Sequence, residues 1–125
     1  MVIGIGTDLM EIARIADSIE RFGDRFLQRV FTPGEIEYCT RKKNSAESFA
    51  ARFAAKEAGA KALGTGISRG VGWQELEVTR KPGERPMLTL KGRAAERARD
   101  LGIKRISLSL SHSRDVALAV VAMEN

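Results

Sequence analysis

Much that would identify a protein at a glance is missing from this chain. It has one cysteine, which excludes an internal disulfide and a cysteine-rich zinc site. One tryptophan, one tyrosine and five phenylalanines leave an aliphatic core and few platforms for stacking bases. No apolar run is long enough to cross a bilayer. The N-terminus, MVIGIGTDLMEI, has neither a basic flank nor a signal-peptide core, so a cytoplasmic protein without membrane attachment is expected. No internal repeat, low-complexity block or linker divides the 125 residues, and one domain, 1–125, accounts for them. A chain this short has little interior for a large ligand, which belongs in a surface groove or between subunits.

What is present is positive charge, +5 overall and dispersed along the chain. Such a balance attracts nucleic acid, a phosphate-rich cofactor, a membrane surface or an acidic protein. A nucleic-acid-binding domain has no recognised motif here to support it.

Val2–Ile5 reads as a short strand, broken by Gly4 and ended by Gly6. Ile12, Ile15, Ile19 and Phe22 then follow a helical rhythm that Gly23 stops. In "FTPGEIEYC", Thr32 caps, Pro33 takes the first helical position and Glu35 stands three residues on, a helix start. A longer helix begins at Asn44 or Ser45 and ends at Gly64. "WQELEVTR" (73–80) and "PMLTL" (86–90) form a hairpin around the turn "KPGER", and "GRAAERARDLG" (92–102) is a small surface helix. "RISLSLSH" (105–112) alternates, with Ile106, Leu108, Leu110 and His112 in phase. "VALAVVAM" (116–123) is apolar on both faces, as in a central strand. The fold class is α+β, an antiparallel sheet packed against helices to one side.

The long helix poses the sharpest question. Phe49, Phe53, Ala60 and Leu63 form a core stripe, and Ala51, Ala55, Ala58, Gly59 and Ala62 form a small-residue face that another element can approach closely. The helix should therefore be largely covered, yet it carries Arg52, Lys56, Glu57 and Lys61. One reading is structural: Glu57 and Lys61 make an i, i+4 ion pair, and Lys56 snorkels from the apolar stripe to water. The other is chemical. Glycines follow at once in "GTGISRG" (64–70), where backbone can approach a ligand. A second carboxylate, Asp8, lies just after the first strand. An anion beside this loop faces the repelling C-terminal pole of a helix, so cations (Lys61, Arg52, Arg69 or a metal) must offset it. Two carboxylates suit Mg²⁺, which shares its coordination with water and substrate phosphates.

"GIGTDLMEI" (4–12), "FTPGEIEYC" (31–39), "RFAAKEAGAKALGTGI" (52–67) and "SLSLSH" (107–112), in that order and spanning nearly the whole chain, resemble the motifs of the 4′-phosphopantetheinyl transferases. The size and the "GTGI" tail resemble the small bacterial branch, the holo-acyl-carrier-protein synthases. The resemblance implies Mg²⁺-dependent transfer of the phosphopantetheine arm of coenzyme A to a serine of apo acyl carrier protein, in support of fatty acid biosynthesis. It implies that Asp8 and Glu57 ligate Mg²⁺ and that Lys61 faces the pyrophosphate. Arg52, His112 and the loop Gly64, Thr65 and Gly66 would lie along the nucleotide, with Arg52 and His112 at the 3′-phosphate. It further implies a homotrimer with active sites between subunits, which would give the alanine face a use, and docking of the acidic carrier on Arg14, Arg21 and Arg25.

Those three arginines share one face of the first helix and its end, which is otherwise an ordinary solvated basic face. The general base stays open between Glu57 and a metal-bound water that Glu57 or Asp8 orients. His112 alone is equally a structural residue, Cys39 a packing residue, Trp73 a cover for the sheet or a subunit contact, and Glu11 a helix-end or metal-orienting group. Serines 107, 109 and 111 have no base arrangement that would activate them. Two further readings compete: a trimeric module that only binds, and an enzyme accepting a broader range of carriers.

Overall fold

Ten residues, Val2–Glu11, form the first strand, β1, where the sequence predicts four. Gly4 and Gly6 do not break it. A bulge at Val2/Gly4 takes up the irregularity, and pairing with β5 (Val116–Glu124) runs on to Glu11. β5 is the centre of a three-stranded antiparallel sheet ordered β1-β5-β4, with β4 spanning Arg105–His112. The computed structural model describes all residues 1–125, and its class is the expected α+β.

One face of the sheet is crossed by the long helix, α4 (Ser45–Ala62). The glycines explain how close it lies. A Cβ on Gly4 would strike the carbonyl oxygen of Ala62, and one on Gly6 that of Ala58. The alanine face of α4 is therefore filled by β1 of the same chain, and is not left for a subunit contact. Asn44 caps α4 by accepting from Glu47 N at 3.3 Å.

α1 (Ile12–Phe22) follows β1 directly, and Gly23, at φ 57°, ends it with its N–H on Ile19 O. A second helix that the sequence reading missed, α2 (Asp24–Val30), starts immediately, burying Leu27 and Val30. Seven residues are too few for a periodicity to declare itself. α3 (Pro33–Thr40) opens with the expected capping box: Thr32 Oγ1 accepts from Glu35 N, and a Glu35 carboxylate oxygen accepts from Thr32 N. The hairpin β2 (Leu76–Thr79) and β3 (Met87–Leu90) forms a separate two-stranded sheet, and α5 spans Gly92–Asp100. Trp73–Glu75 is a 3₁₀ turn, not the predicted start of β2.

Two clusters make the core. One joins α4, the hairpin and α5 to the sheet; the other gathers Phe31, Phe49, Ile15 and Leu27 where α1 to α3 meet α4. α4 contributes residues to both and so joins them.

Candidate active site

Strand alternation points Gly4, Gly6, Asp8 and Met10 toward α4. The glycines draw strand and helix together, and Asp8 then meets the last turns of α4. Its side chain is 15% exposed and lies 3.1 Å from Lys61 Nζ, which also donates to Thr7 O at 3.0 Å. Asp8 thus sits within β1, not after it. Glu57, one turn before Lys61, is half-buried. Burial holds its pKa above the ordinary carboxylate value, the charge of Asp8 adds to that, and Lys61 partly opposes it. The expected Glu57–Lys61 ion pair is replaced by Lys61–Asp8, because β1 delivers a second carboxylate to the same lysine.

The set therefore contains two mutually repelling carboxylates and one cation at the surface end of a buried helix. Three or more grouped His, Cys, Asp or Glu side chains occur nowhere in the chain, so no closed protein cage for a metal exists. A divalent cation would relieve the charge repulsion between Asp8 and Glu57, and an open two-carboxylate set leaves room for water and substrate oxygens. The residues fit Mg²⁺.

Lys56 does not reach water. It is fully buried, 2.7 Å from Glu35 Oε1, and it donates to Leu76 O at 2.5 Å and Trp73 O at 3.1 Å. Glu35 in turn accepts from Val78 N at 2.7 Å. This lysine and carboxylate clamp α3, α4 and the hairpin together. Burial lowers the Lys56 pKa, against the pull of Glu35.

The glycine loop also differs from expectation. Gly64 N donates to Lys61 O, and Thr65 N and Gly66 N both donate to Ala60 O, at 2.9, 3.2 and 3.1 Å. Gly64 and Gly66 adopt φ 80° and 63° to do so. The amides at 64–66 terminate α4 and are not free to cradle a phosphate. Side chains must supply the attraction.

Arg52 and His112 stand apart from this group. Ten residues separate Glu47 from Glu57, about 15 Å along α4; Arg52 lies midway with its guanidinium turned back to Ser48 O, and His112 meets Glu47. His112 Nε2 is 3.3 Å from Glu47 Oε1, a partner the sequence did not reveal. Asp8 pairs with Ala119 and His112 with Ala117, so the two lie on one sheet face about 12 Å apart by strand spacing. Arg52 is 4% exposed, stacks 4.2 Å over the Tyr38 ring and donates only to Ser48 O, with its Nε buried and unpartnered. No carboxylate neutralises it.

Near Arg52, a cavity of about 820 Å³ opens between α3 and the hairpin turn, lined by Tyr38, Arg41, Lys42, Arg80 and Lys81 and by Glu37, which pairs with Arg41. The sequence marked its two walls only as a polar helix end and a turn. A smaller cavity of about 270 Å³ lies where α1 and α2 meet α4, with Arg14 beside Met10, Ile15, Phe26 and Phe53. Arg14 and Arg21 are exposed on α1, Arg21 facing Asp17 at 3.8 Å. Arg25 belongs to α2 beyond the Gly23 turn, so the three arginines do not share a single helix.

A family model described as the 4′-phosphopantetheinyl transferase superfamily matches residues 4–121. The chain is 54% identical to a holo-[acyl-carrier-protein] synthase of Koribacter versatilis and 52% identical to one of Solibacter usitatus, each over all of both chains. Among solved structures, the Neisseria meningitidis holo-[acyl-carrier-protein] synthase superposes with a TM-score of 0.91 at 35% identity, covering 100% of both chains. The Helicobacter pylori synthase in complex with coenzyme A does so with a TM-score of 0.84 at 36% identity, covering 96% of this chain and 99% of that one.

Proposed function

This chain belongs to the 4′-phosphopantetheinyl transferase superfamily, in its holo-[acyl-carrier-protein] synthase branch, and on that premise we propose the reaction and its residues. The protein moves 4′-phosphopantetheine from coenzyme A to a serine of apo acyl carrier protein, with Mg²⁺, in the cytoplasm and in support of fatty acid biosynthesis. The observation that carries this reading is the convergence of Asp8, Glu57 and Lys61 at one end of α4.

The serine oxygen attacks the β-phosphorus, the bond from that phosphorus to the bridging oxygen breaks, and adenosine 3′,5′-bisphosphate leaves with the electron pair. Positioning and charge neutralisation dominate such transfers. Asp8 and Glu57 would hold Mg²⁺, which supplies Lewis-acid stabilisation of the pyrophosphate when bound. Lys61, with two of its three donors on Thr7 and Asp8, directs the third to the leaving oxygen. The serine proton passes to Glu57 or to a water that Glu57 or Asp8 orients.

Arg52 and Glu57 are five residues apart, about 140° around the helix, so the basic cavity and the carboxylate pair open on different sides of α4. A coenzyme A that uses both is best served by two protomers. The sheet face away from α4 supports assembly: Ile5 and Leu9 are exposed there, at 61% and 64%, alongside Ile3. We therefore assign a homotrimer with shared sites, the nucleotide lying toward Arg52, His112 and the 820 Å³ cavity. The acidic carrier docks on Arg14, Arg21 and Arg25, and its affinity falls with rising salt.

Mass spectrometry of apo carrier protein incubated with coenzyme A, Mg²⁺ and the enzyme tests the reading. One added phosphopantetheine per carrier is expected, and none with Asp8→Ala or Glu57→Ala. No gain with folded wild-type enzyme and a competent acceptor would refute it.

A further inference from the structure

The occupied amides of the glycine loop leave an electrostatic problem. An anion next to Lys61 faces the carbonyl end of an 18-residue helix, where the dipole is repulsive. Ala60 O and Lys61 O are covered by the loop's own N–H groups, but those bonds add no net positive charge.

The charge comes from α5. Arg97 Nε donates to Leu63 O, the last carbonyl of the α4 cap, at 3.1 Å. Its Nη2 is the nearest group to the open side of Gly64, 3.6 Å from where a Cβ would stand. One turn earlier, Arg93 Nη1 reaches the far end of the loop at Gly70, 3.2 Å from the corresponding point. Residues four apart on a helix share a face, so α5 lines the loop with two guanidinium groups. Glu75 Oε2 accepts from the backbone N–H of Arg93, whose guanidinium makes no ion pair. Arg97 makes no ion pair, and its outer nitrogens have no partner in the chain.

We propose that Arg97 is a phosphate-binding residue of this enzyme, holding a pyrophosphate oxygen of coenzyme A at the Gly64 edge of the loop while its Nε fixes the end of α4. This deepens the coenzyme A reading above and rests on it. The site then has cations on both sides of the α4 terminus, Lys61 from the helix itself and Arg97 from α5, and the loop serves as a spacer between them.

Arg97→Gln separates this role from simple capping. Glutamine keeps an N–H for Leu63 O and removes the charge. Coenzyme A binding is measured by calorimetry with Mg²⁺, in parallel with steady-state KM values for both substrates and the melting temperature. The expected result is a coenzyme A Kd and KM raised about tenfold, as for loss of one charge-assisted phosphate contact. The KM for apo carrier should stay within twofold and the melting temperature unchanged, with Arg97→Lys recovering most of the affinity. Coenzyme A binding unaltered in a folded Arg97→Gln variant overturns the assignment, as does a loss shared equally between the two substrates. Calorimetry reads Arg97 without turnover. Wild-type protein that binds coenzyme A but does not transfer would therefore sink the reaction and leave Arg97 testable.

Discussion

Lys56 and Lys61 stand five residues apart on one helix, and each meets a carboxylate delivered by a distant segment. There the likeness ends. Lys56–Glu35 is buried completely on both sides, and backbone carbonyls and amides saturate it. Lys61–Asp8 is 51% and 15% exposed, with an additional carboxylate, Glu57, close enough to raise the local negative potential. The first pair has no capacity left for a ligand. The second has a free donor and free carboxylate oxygens at the surface. Burial and hydrogen-bond saturation, and not residue type, separate a closed structural ion pair from one left open to a ligand.

Substitutions can break that contrast. Lys56→Met should be the most damaging, since it strands the Glu35 carboxylate in the core; removing one partner of a buried pair costs about 3–5 kcal/mol. Urea unfolding measures it, and a loss below about 1 kcal/mol would mean that Glu35 finds another partner. Lys61→Met should leave the unfolding curve in place and lower kcat about 10²–10³-fold, as expected for one preorganised electrostatic contact to developing charge. If both variants lost stability and kept kcat, the two lysines would be equivalent and the contrast false.

Arg14→Glu with Arg21→Glu tests a third kind of charge, exposed and outside the coenzyme A site. The KM for apo carrier should rise about tenfold, with smaller changes at higher salt, and the KM for coenzyme A should stay within twofold. Equal changes in both would remove α1 from carrier docking.

Cys39 extends the comparison to pH and gives the smallest effect at neutral pH. Burial pushes its thiol up from 9.0 to about 12, with Arg52 pulling the other way. Between those values the unfolded chain gives up a proton that the folded chain retains, so stability falls as pH rises through that window. Below it Cys39 contributes no slope. Alkylation at pH 9 should be slow in the folded protein and fast in urea, because the thiolate is the reactive species. Rapid labelling of the native protein would place Cys39 outside the core.

How much of this could be read in advance depends on how local the cause is. Thr32, Pro33 and Glu35 announced the start of α3, because a capping box is satisfied within four residues. The second task of Glu35, holding Lys56 and Val78, depends on residues 21 and 43 positions away, and no local pattern reports it. Gly4 and Gly6 look like strand breakers in isolation. They prove to be the positions where β1 must touch α4, which only the packed structure shows. Asp8, Glu57 and Lys61 were singled out by residue type and setting, and their convergence follows from that same close approach. Arg97, Glu47 and the basic cavity were missed, since each acquires its meaning from a neighbour on another element.

The central claim is that Asp8 and Glu57 together hold one divalent ion where the pyrophosphate lies. Manganese substituted for magnesium can be followed by electron paramagnetic resonance as it is titrated into enzyme with coenzyme A. One bound ion per active site, lost in both Asp8→Ala and Glu57→Ala while the folded state persists, is the predicted result. Undiminished manganese binding in either variant would contradict the account.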